Sequence, residues 1–171
     1  MGEYASFRSR VWAALIDILV LLIPSLLVIF LSETELLSNT ASHEEKPVTN
    51  FLLAALWIVY QGEMESSRAQ ATLGKQLLKI YVTDDHGNRL SFSMAAIRCW
   101  PMYLPQLAHG AEFAANYYLD AWIYGTVIVP GILLPIISCL IIVYSPRNQG
   151  AHDWLVGTLV VKGKPGISVR S

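Results

Sequence analysis

Two long apolar runs constrain the fold more than any other feature of this sequence. The first covers residues 11–31 and contains one charge in 21 residues, and the second covers 121–144 and contains no charge in 24 residues. A helix needs about 20 predominantly apolar residues to cross the hydrocarbon core of a bilayer. Each run is therefore predicted to form a transmembrane helix, and the chain is predicted to be an integral membrane protein.

The composition supports the same class of protein. Of the 171 residues, 54% are hydrophobic and 15% are charged, whereas charged residues make up about 25% of a typical soluble domain. A disordered chain is excluded because it would need low hydrophobicity and high net charge. The formal net charge of −1 gives no basic surface for nucleic acid, so no nucleic-acid partner is expected.

The first apolar run is predicted to remain as a helix of the mature protein. Arg8 and Arg10 precede it and resemble the charged start of a signal peptide. However, the run is long for the apolar part of a signal peptide, contains Asp17, and is followed by SETELLSN rather than a small-residue cleavage site. Cleavage is therefore the less favoured interpretation.

Two further segments, 48–64 and 97–115, complete a predicted topology of four transmembrane helices. The loop 66–96 and the chain after Tyr144 are rich in Lys and Arg, which keep short loops in the cytoplasm. The chain between these two regions must cross the membrane an even number of times, so 97–115 is a span together with 121–144. The predicted fold is an all-α membrane protein with both termini in the cytoplasm.

The loop 66–96 is also predicted to contain a small sheet. Its segment 78–82, LKIYV, is rich in β-branched and aromatic residues, and DDHGN at 84–88 is typical of a turn. Near the end of the chain, GTLVVK at 157–162 has the same strand character. We expect 78–83 to pair with 157–162 and with a short hairpin partner, which would fasten the tail to the loop.

Asp17 is the most informative single residue, because an acid within a transmembrane helix is energetically unfavourable and usually faces protein or water. It lies seven residues after Arg10, which is about 10 Å along a helix, so direct contact between the two is not expected. Arg98 is the first candidate partner. Two interpretations remain open: a structural ion pair that orients the helix, or an ion or proton site.

His152 and Asp153 form a second candidate cluster, where the chain returns to the cytoplasmic interface. A histidine titrates near neutral pH, so His152 would serve as a sensor or proton shuttle. The alternative, which the sequence favours, is structural. In that case Asp153 caps a short turn or pairs with Arg10, while Trp154 anchors at the lipid headgroups.

Lys75 lies in the segment TLGK at 72–75, which resembles part of a phosphate-binding loop. That motif would require Gly at position 69 and Ser or Thr at position 76, where this chain has Ala69 and Gln76. A nucleotide-binding loop is therefore excluded. Lys75 is expected instead to contact the acidic inner leaflet of the membrane.

Glu63 and Glu65 close the second predicted helix on its cytoplasmic side. They would coordinate a cation at the mouth of a pathway, or they form an ordinary solvated helix end, which is the commoner case.

No motif in the sequence supports catalysis. Cys99 and Cys139 are 40 residues apart in apolar surroundings, which is neither a disulfide framework nor a metal-ligand spacing. The sequence contains no HExxH, CxxC, GxGxxG or nucleophile-elbow motif. We therefore predict no catalytic residue, no metal, no cofactor and no enzymatic activity.

The order and spacing of these residues resemble the RDD family of bacterial membrane proteins, which is named for one arginine and two aspartates. The corresponding residues are Arg10 and Asp17 in FRSRVWAALID and Asp153 in HDWLVGTLVV. The segment 71–91 resembles the T-x-GK segment of the family and its strand and turn, and Arg98 occupies the expected AAIR position. The resemblance covers one domain, residues 5–162, followed by a short tail, 163–171.

The resemblance implies a multi-pass protein of the bacterial inner membrane. Some members of the family are regarded as sodium/proton antiporters, so it implies transport of a small cation in exchange for protons. Other members carry the domain fused to further modules, which implies the alternative of a non-transporting scaffold or assembly partner. The expected partners are the lipid bilayer, a second copy of the chain or other membrane proteins, and a small cation or proton.

Overall fold

The computed structural model describes residues 3–33, 47–115, 129–163 and 165, and this part of the chain is mostly helical. The described residues form four longer helices, three short helices and two strands. In chain order the elements are α1 Phe7–Glu33, α2 Pro47–Ser66, α3 Leu73–Leu77, β1 Ile80–Asp84, α4 Phe92–Arg98, α5 Trp100–Ala115, α6 Val129–Tyr144, α7 Ala151–Val156 and β2 Thr158–Lys162.

The four predicted spans correspond to α1, α2, α5 and α6. Among the described residues, one helical stretch, Phe7–Ser32, is long and apolar enough to cross a membrane by length and composition. Helix α6 is apolar but 16 residues long, and residues 121–128 of the span predicted there lie outside the described residues. The third span is predicted at about 97–115, and the corresponding helix α5 covers Trp100–Ala115, after α4 ends at Arg98.

Large apolar side chains are exposed along α1 and α6. On α1, Leu19 is 67% exposed and Ile23 is 76% exposed, and on α6 the side chains of Leu133 and Leu140 are about half exposed. An apolar surface of this extent would be unfavourable in water and marks contact with a membrane or a partner. The exposed faces of α1 and α6 therefore agree with lipid contact.

The predicted pairing of the two strands is confirmed, because β1 and β2 form an antiparallel sheet in which Ile80 is opposite Lys162 and Asp84 is opposite Thr158. The predicted hairpin partner is wrong. After the turn, Leu90 is buried in the core and the next residue, Ser91, already caps α4, so too few residues are left for a strand. The residue that flanks β2 on its other side is Tyr4, through an isolated bridge.

The sheet joins the start of α1 to the end of the chain. The amide of Ala5 donates a hydrogen bond to the carbonyl of Val160 at 2.9 Å. Alternating strand residues face two small apolar clusters, as expected for a strand buried on both faces. One cluster contains Ile80, Val82 and Val160 together with Ala13 of α1. The sheet thus fixes the position of α1 against the middle loop, and this arrangement builds the site described next.

Candidate functional site

Asp17 is buried, and both of its carboxylate oxygens accept hydrogen bonds. Oδ1 accepts from the Tyr60 hydroxyl at 2.7 Å and from the amide of Gly74 at 2.8 Å. Oδ2 accepts from the Thr72 hydroxyl at 2.6 Å. Tyr60 belongs to α2 and the other two donors to the loop at α3, so Asp17 joins three parts of the chain through one carboxylate.

Local sequence explains why the loop reaches Asp17. Thr72 is the N-cap of α3, and its hydroxyl accepts a hydrogen bond from the amide of Lys75 while donating its own proton to Asp17. Gly74 lies against α1 so closely that a Cβ atom there would be 2.1 Å from the carbonyl oxygen of Ala13. A residue without a side chain is therefore required for the amide of Gly74 to approach the carboxylate.

The expectation that Arg98 pairs with Asp17 is wrong. Neutral donors surround Asp17, and Arg98 instead binds two other acids. Its Nη1 lies 2.7 Å from Oε2 of Glu65, and its Nη2 lies 2.7 Å from Oδ1 of Asp153. The physical reason is the placement of α4, which packs against α2 and α7 and so directs Arg98 toward the acids of those helices.

Arg98 is the centre of a buried ion network. Its side chain is 4% exposed, and those of Glu65 and Asp153 are fully buried. Arg98 Nε also donates to Oδ1 of Asp153 at 2.9 Å and to the Thr158 hydroxyl at 3.1 Å. Lys75 pairs with Oε1 of Glu65, an oxygen that also accepts from Arg98. Because a buried charge is tolerated only when it is paired and hydrogen-bonded, these contacts hold α2, α3, α4 and α7 in one arrangement.

Arg10 extends the network to α1. Its Nη1 donates to Oδ2 of Asp153 at 2.6 Å, which is the pairing that the structural interpretation of Asp153 anticipated. The same oxygen accepts a hydrogen bond from the amide of Gly150 at 3.1 Å, so Asp153 also caps the N-terminus of α7. Burial alone would raise the pKa of Asp153, but the charges of Arg98 and Arg10 hold it well below its usual range.

His152 is placed beside this network as a neutral side chain. Burial, together with the charges of Arg98 and Arg10, lowers its pKa to about 4. Its Nδ1 lies 2.7 Å from the Ser138 hydroxyl on α6. Its Nε2 is 3.5 Å from Oδ1 of Asp153, but an imidazole that is neutral at pH 7 forms no ion pair there. His152 therefore connects α7 to α6 by a hydrogen bond.

Of the remaining predicted site residues, Glu65 and Lys75 meet in the fold and Glu63 lies apart from them. Glu65 and Lys75 belong to the ion network, so Lys75 is directed to an acid of the protein rather than to the acidic leaflet. Glu63, two residues before Glu65, is exposed. The expectation that the two glutamates form a joint cation site is therefore wrong. Residues two positions apart on a helix do not face each other.

Three residues that hold Asp17 have functions that the sequence analysis did not identify. Tyr60 had no signal beyond its position at the end of an apolar run. The position of Thr72 does carry a local signal, because a threonine before a short helical segment is a typical N-cap. Gly74 belongs to the T-x-GK segment of the family resemblance, but that resemblance gave it no contact with Asp17. Long-range partners of this kind require the tertiary structure.

A cavity of about 120 Å³ lies beside the network and is lined by residues from each of the helices α1–α7 and from β2. Arg10, Asp17, Lys75 and Arg98 contribute to its polar side, and apolar residues such as Trp57 contribute to the rest. The cavity therefore joins the two parts of the site, namely the Asp17 contacts and the ion network.

The comparisons with known proteins identify the family of the chain. The model of the RDD family matches residues 4–157, a range that includes Arg10, Asp17 and Asp153. No curated protein and no solved structure matches the chain. Because the family model covers most of the chain, and α1 is long and apolar enough to cross a bilayer, the chain belongs to the RDD family and is a membrane protein.

Proposed function

We propose that this protein is a multi-pass scaffold or assembly partner of the bacterial inner membrane, that both of its termini are cytoplasmic, and that it has no enzymatic activity. In this proposal α1, α2, α5 and α6 cross the bilayer, and the sheet and the short helices form a cap on the cytoplasmic side. The polar residues serve to hold the cap on the helices, and the exposed apolar faces of α1 and α6 contact lipid or other membrane proteins.

One observation carries the proposal: both oxygens of Asp17 accept hydrogen bonds from neutral donors of α2 and the α3 loop. A carboxylate that exchanges protons or cations must release its partners in every cycle. Here release would break the contacts of Thr72 and Gly74 with α1 at the same time. Such a carboxylate suits a permanent structural connection better than an exchange site.

The ion network supports the same proposal. Its two acids, Glu65 and Asp153, are fully buried and are engaged by Arg98, Lys75 and Arg10. Buried pairs of this kind specify one arrangement of the surrounding elements in some proteins. The geometry therefore favours a fixed assembly of helices and sheet over a pathway that opens and closes.

Cation transport in exchange for protons is the alternative, and one observation favours it. Asp17 lines the cavity between the helices, so a conformation that frees its oxygens would present an acid to an internal space. A pathway built from this cavity would use Asp17 as the titrating group.

Proteoliposomes distinguish the two proposals. The wild type and Asp17→Asn would be reconstituted, and proton movement would be followed with a pH-sensitive dye under gradients of sodium, potassium or lithium. For a scaffold we expect wild-type proton flux equal to that of protein-free vesicles. Asp17→Asn should lower the melting temperature in detergent, while Asp85→Asn should leave it unchanged, because the Asp85 side chain is 47% exposed.

The oligomeric state provides the second measurement. Native gels of mild detergent extracts should place the wild-type chain in a discrete complex that is larger than the 19.0 kDa monomer. Cation-driven flux that a folded Asp17→Asn protein lacks would establish the transporter instead. A wild-type chain that runs as a monomer in every extract would also overturn the scaffold.

A further inference from the structure

The guanidinium of Arg10 uses only one of its hydrogen-bonding edges within the described part of the chain. Its Nη1 donates to Asp153. Its Nε and Nη2 are buried and meet no acceptor among the described residues. These two nitrogens form the side edge of the guanidinium, which presents two parallel N–H groups. That edge matches the two oxygens of a carboxylate or phosphate group.

Leaving this edge without an acceptor is unfavourable. The Arg10 side chain is 9% exposed, so bulk water has little access to it. A buried donor without a partner destabilises a protein by about 1–3 kcal/mol, and by more for a charged group. An acceptor that enters from the neighbouring cavity would remove this penalty.

The cavity has the form expected for such an acceptor. Arg10, Lys75 and Arg98 all contribute to its lining, and they are the three cations of the ion network. Much of the remaining wall is apolar and includes Trp57 and Ile142. A volume of about 120 Å³ has room for a small group but not for a large cofactor.

The acids near the cavity do not compete for this edge of Arg10. Asp17 lines the cavity, but its oxygens accept from Tyr60, Thr72 and Gly74. Asp153 is already bound to the opposite side of Arg10. The donors without an acceptor are therefore Nε and Nη2 of the Arg10 cation. Their geometry, rather than the net charge of the site, would select an anion.

We infer that this cavity binds a phosphate-type oxyanion through Nε and Nη2 of Arg10. Two sources can supply that group: the headgroup of an anionic phospholipid, whose acyl chains would lie outside the cavity in the bilayer, or free inorganic phosphate. The inference goes beyond the scaffold proposal, because it assigns a ligand-binding site that the scaffold does not require.

Two probes test the site in the purified full chain. Native mass spectrometry in detergent would measure retention of phosphatidylglycerol, with diacylglycerol of the same acyl chains as the control that lacks phosphate. The melting temperature would be measured in increasing sodium phosphate at constant ionic strength. Lipid retention alone would identify the headgroup as the source, and a phosphate-dependent rise alone would identify the free anion.

Arg10→Lys keeps the positive charge toward Asp153 but removes the two-donor edge. We expect it to bind whichever probe the wild type binds about tenfold more weakly, since hydrogen bonds to charged groups are among the strongest. Arg8→Lys is the matched control, because Arg8 lies on the same helix and is exposed. It should bind as the wild type does.

A second pair of variants addresses the cavity without altering a charge. Ala14 lines the cavity, whereas Ala55 does not and is exposed. Ala14→Leu should weaken binding by narrowing the cavity, and Ala55→Leu should leave it unchanged. Failure of the wild type to bind either probe would overturn the inference. Wild-type affinity in folded Arg10→Lys or Ala14→Leu would overturn it as well. Neither outcome bears on the flux and oligomer measurements, so the scaffold proposal is tested separately.

Discussion

At the scale of single residues, two glutamates of α2 that are two positions apart have opposite surroundings. Glu65 is fully buried and bound to Arg98 and Lys75, whereas Glu63 is exposed. This contrast gives a matched pair of substitutions on one helix, with the same change in chemistry and in formal charge.

We predict that Glu65→Gln destabilises the protein strongly, because it leaves Arg98 and Lys75 with one acid fewer in a buried site. Breaking a buried pair typically lowers the free energy of unfolding by about 3–5 kcal/mol. Glu63→Gln should change it by less than about 0.5 kcal/mol. Unfolding in mixed micelles with increasing SDS would measure both, and equal stability of the two variants would contradict the ion network.

We predict that His152 makes the stability depend on pH. Its pKa in the folded protein is lowered to about 4 by burial, and an unfolded histidine titrates near 6.5. Between these values the unfolded chain binds the proton more readily, so stability is fully present above pH 6.5 and is lost as the pH falls toward 4. The loss attributable to His152 between pH 7.5 and 5 is about 2 kcal/mol.

The measurement is the melting temperature of the wild type and of His152→Gln at the two pH values. The variant should lose less stability on acidification than the wild type. His86→Gln is the control, since His86 is exposed in the turn after β1. An equal fall in the wild type and in His152→Gln would mean that other groups account for the acid sensitivity.

At this scale one predicted partner is present in the structure, Arg10 for Asp153, and another, Arg98 for Asp17, is wrong. The pairing of Asp153 with Arg10 followed from their expected positions at one membrane face. The sequence predicts Arg98 as the partner of Asp17 because both approach from the same membrane face, but it gives no sign of the hydroxyl and amide donors of the α3 loop. Neutral donors leave no charge pattern in a sequence, so the partners of Asp17 could be identified only from the tertiary structure.

At the scale of elements, the contact between α1 and α3 depends on one glycine. A Cβ atom at position 74 would lie 2.1 Å from the carbonyl oxygen of Ala13 and 3.0 Å from Asp17 Oδ1. The backbones of α1 and α3 cannot move apart to make room without breaking the hydrogen bond from the amide of Gly74 to Asp17. The approach of the loop to the helix is therefore set by the absence of a side chain.

We predict that Gly74→Ala separates α3 from α1 and lowers the melting temperature by more than 5 °C. An overpacked contact typically destabilises a protein by about 1–3 kcal/mol, and the lost hydrogen bonds to Asp17 add to this. Gly87→Asn is the control, because that residue has open space around it and a positive φ that asparagine tolerates. A variant Gly74→Ala as stable as Gly87→Asn would show that the contact is not tight in solution.

Elements with a strong local signal were predictable, and those defined by tertiary contact were not. The apolar runs marked the long helices, and β-branched residues marked the two strands, whose pairing is confirmed. The short helix α3 has only five residues, too few for an apolar period to show. The flanking of β2 by Tyr4 joins residues at opposite ends of the chain, and no local pattern indicates such a contact.

At the scale of the whole molecule, the proposed topology places the middle loop and the tail on the cytoplasmic side. The loop and the tail must lie on the same side of the membrane, because β1 of the loop and β2 of the tail are hydrogen-bonded to each other. The turn at His86 is exposed and extends from that sheet, so it is a suitable reporter of sidedness.

We predict that His86→Cys, in a chain whose Cys99 and Cys139 are replaced by serine, reacts with a membrane-impermeant maleimide only from the cytoplasmic side. Inside-out vesicles should be labelled, and right-side-out spheroplasts should not be labelled until they are permeabilised. The chain without cysteine is the control for background. Labelling of intact spheroplasts would reverse the proposed orientation of the loop and the tail together.

The ion pair between Arg10 and Asp153 has a consequence for how the protein is made. Its two partners are 143 residues apart, and at about 5–20 residues per second a ribosome needs roughly 7–30 s to synthesise that interval. For most of this time, once the chain has passed Glu33, α1 is available for insertion while Arg10 lacks Asp153 and must extend toward the headgroups. A chain that stops before Asp153 therefore leaves the Arg10 guanidinium of α1 without its acid, and we expect membrane quality-control proteases to degrade it.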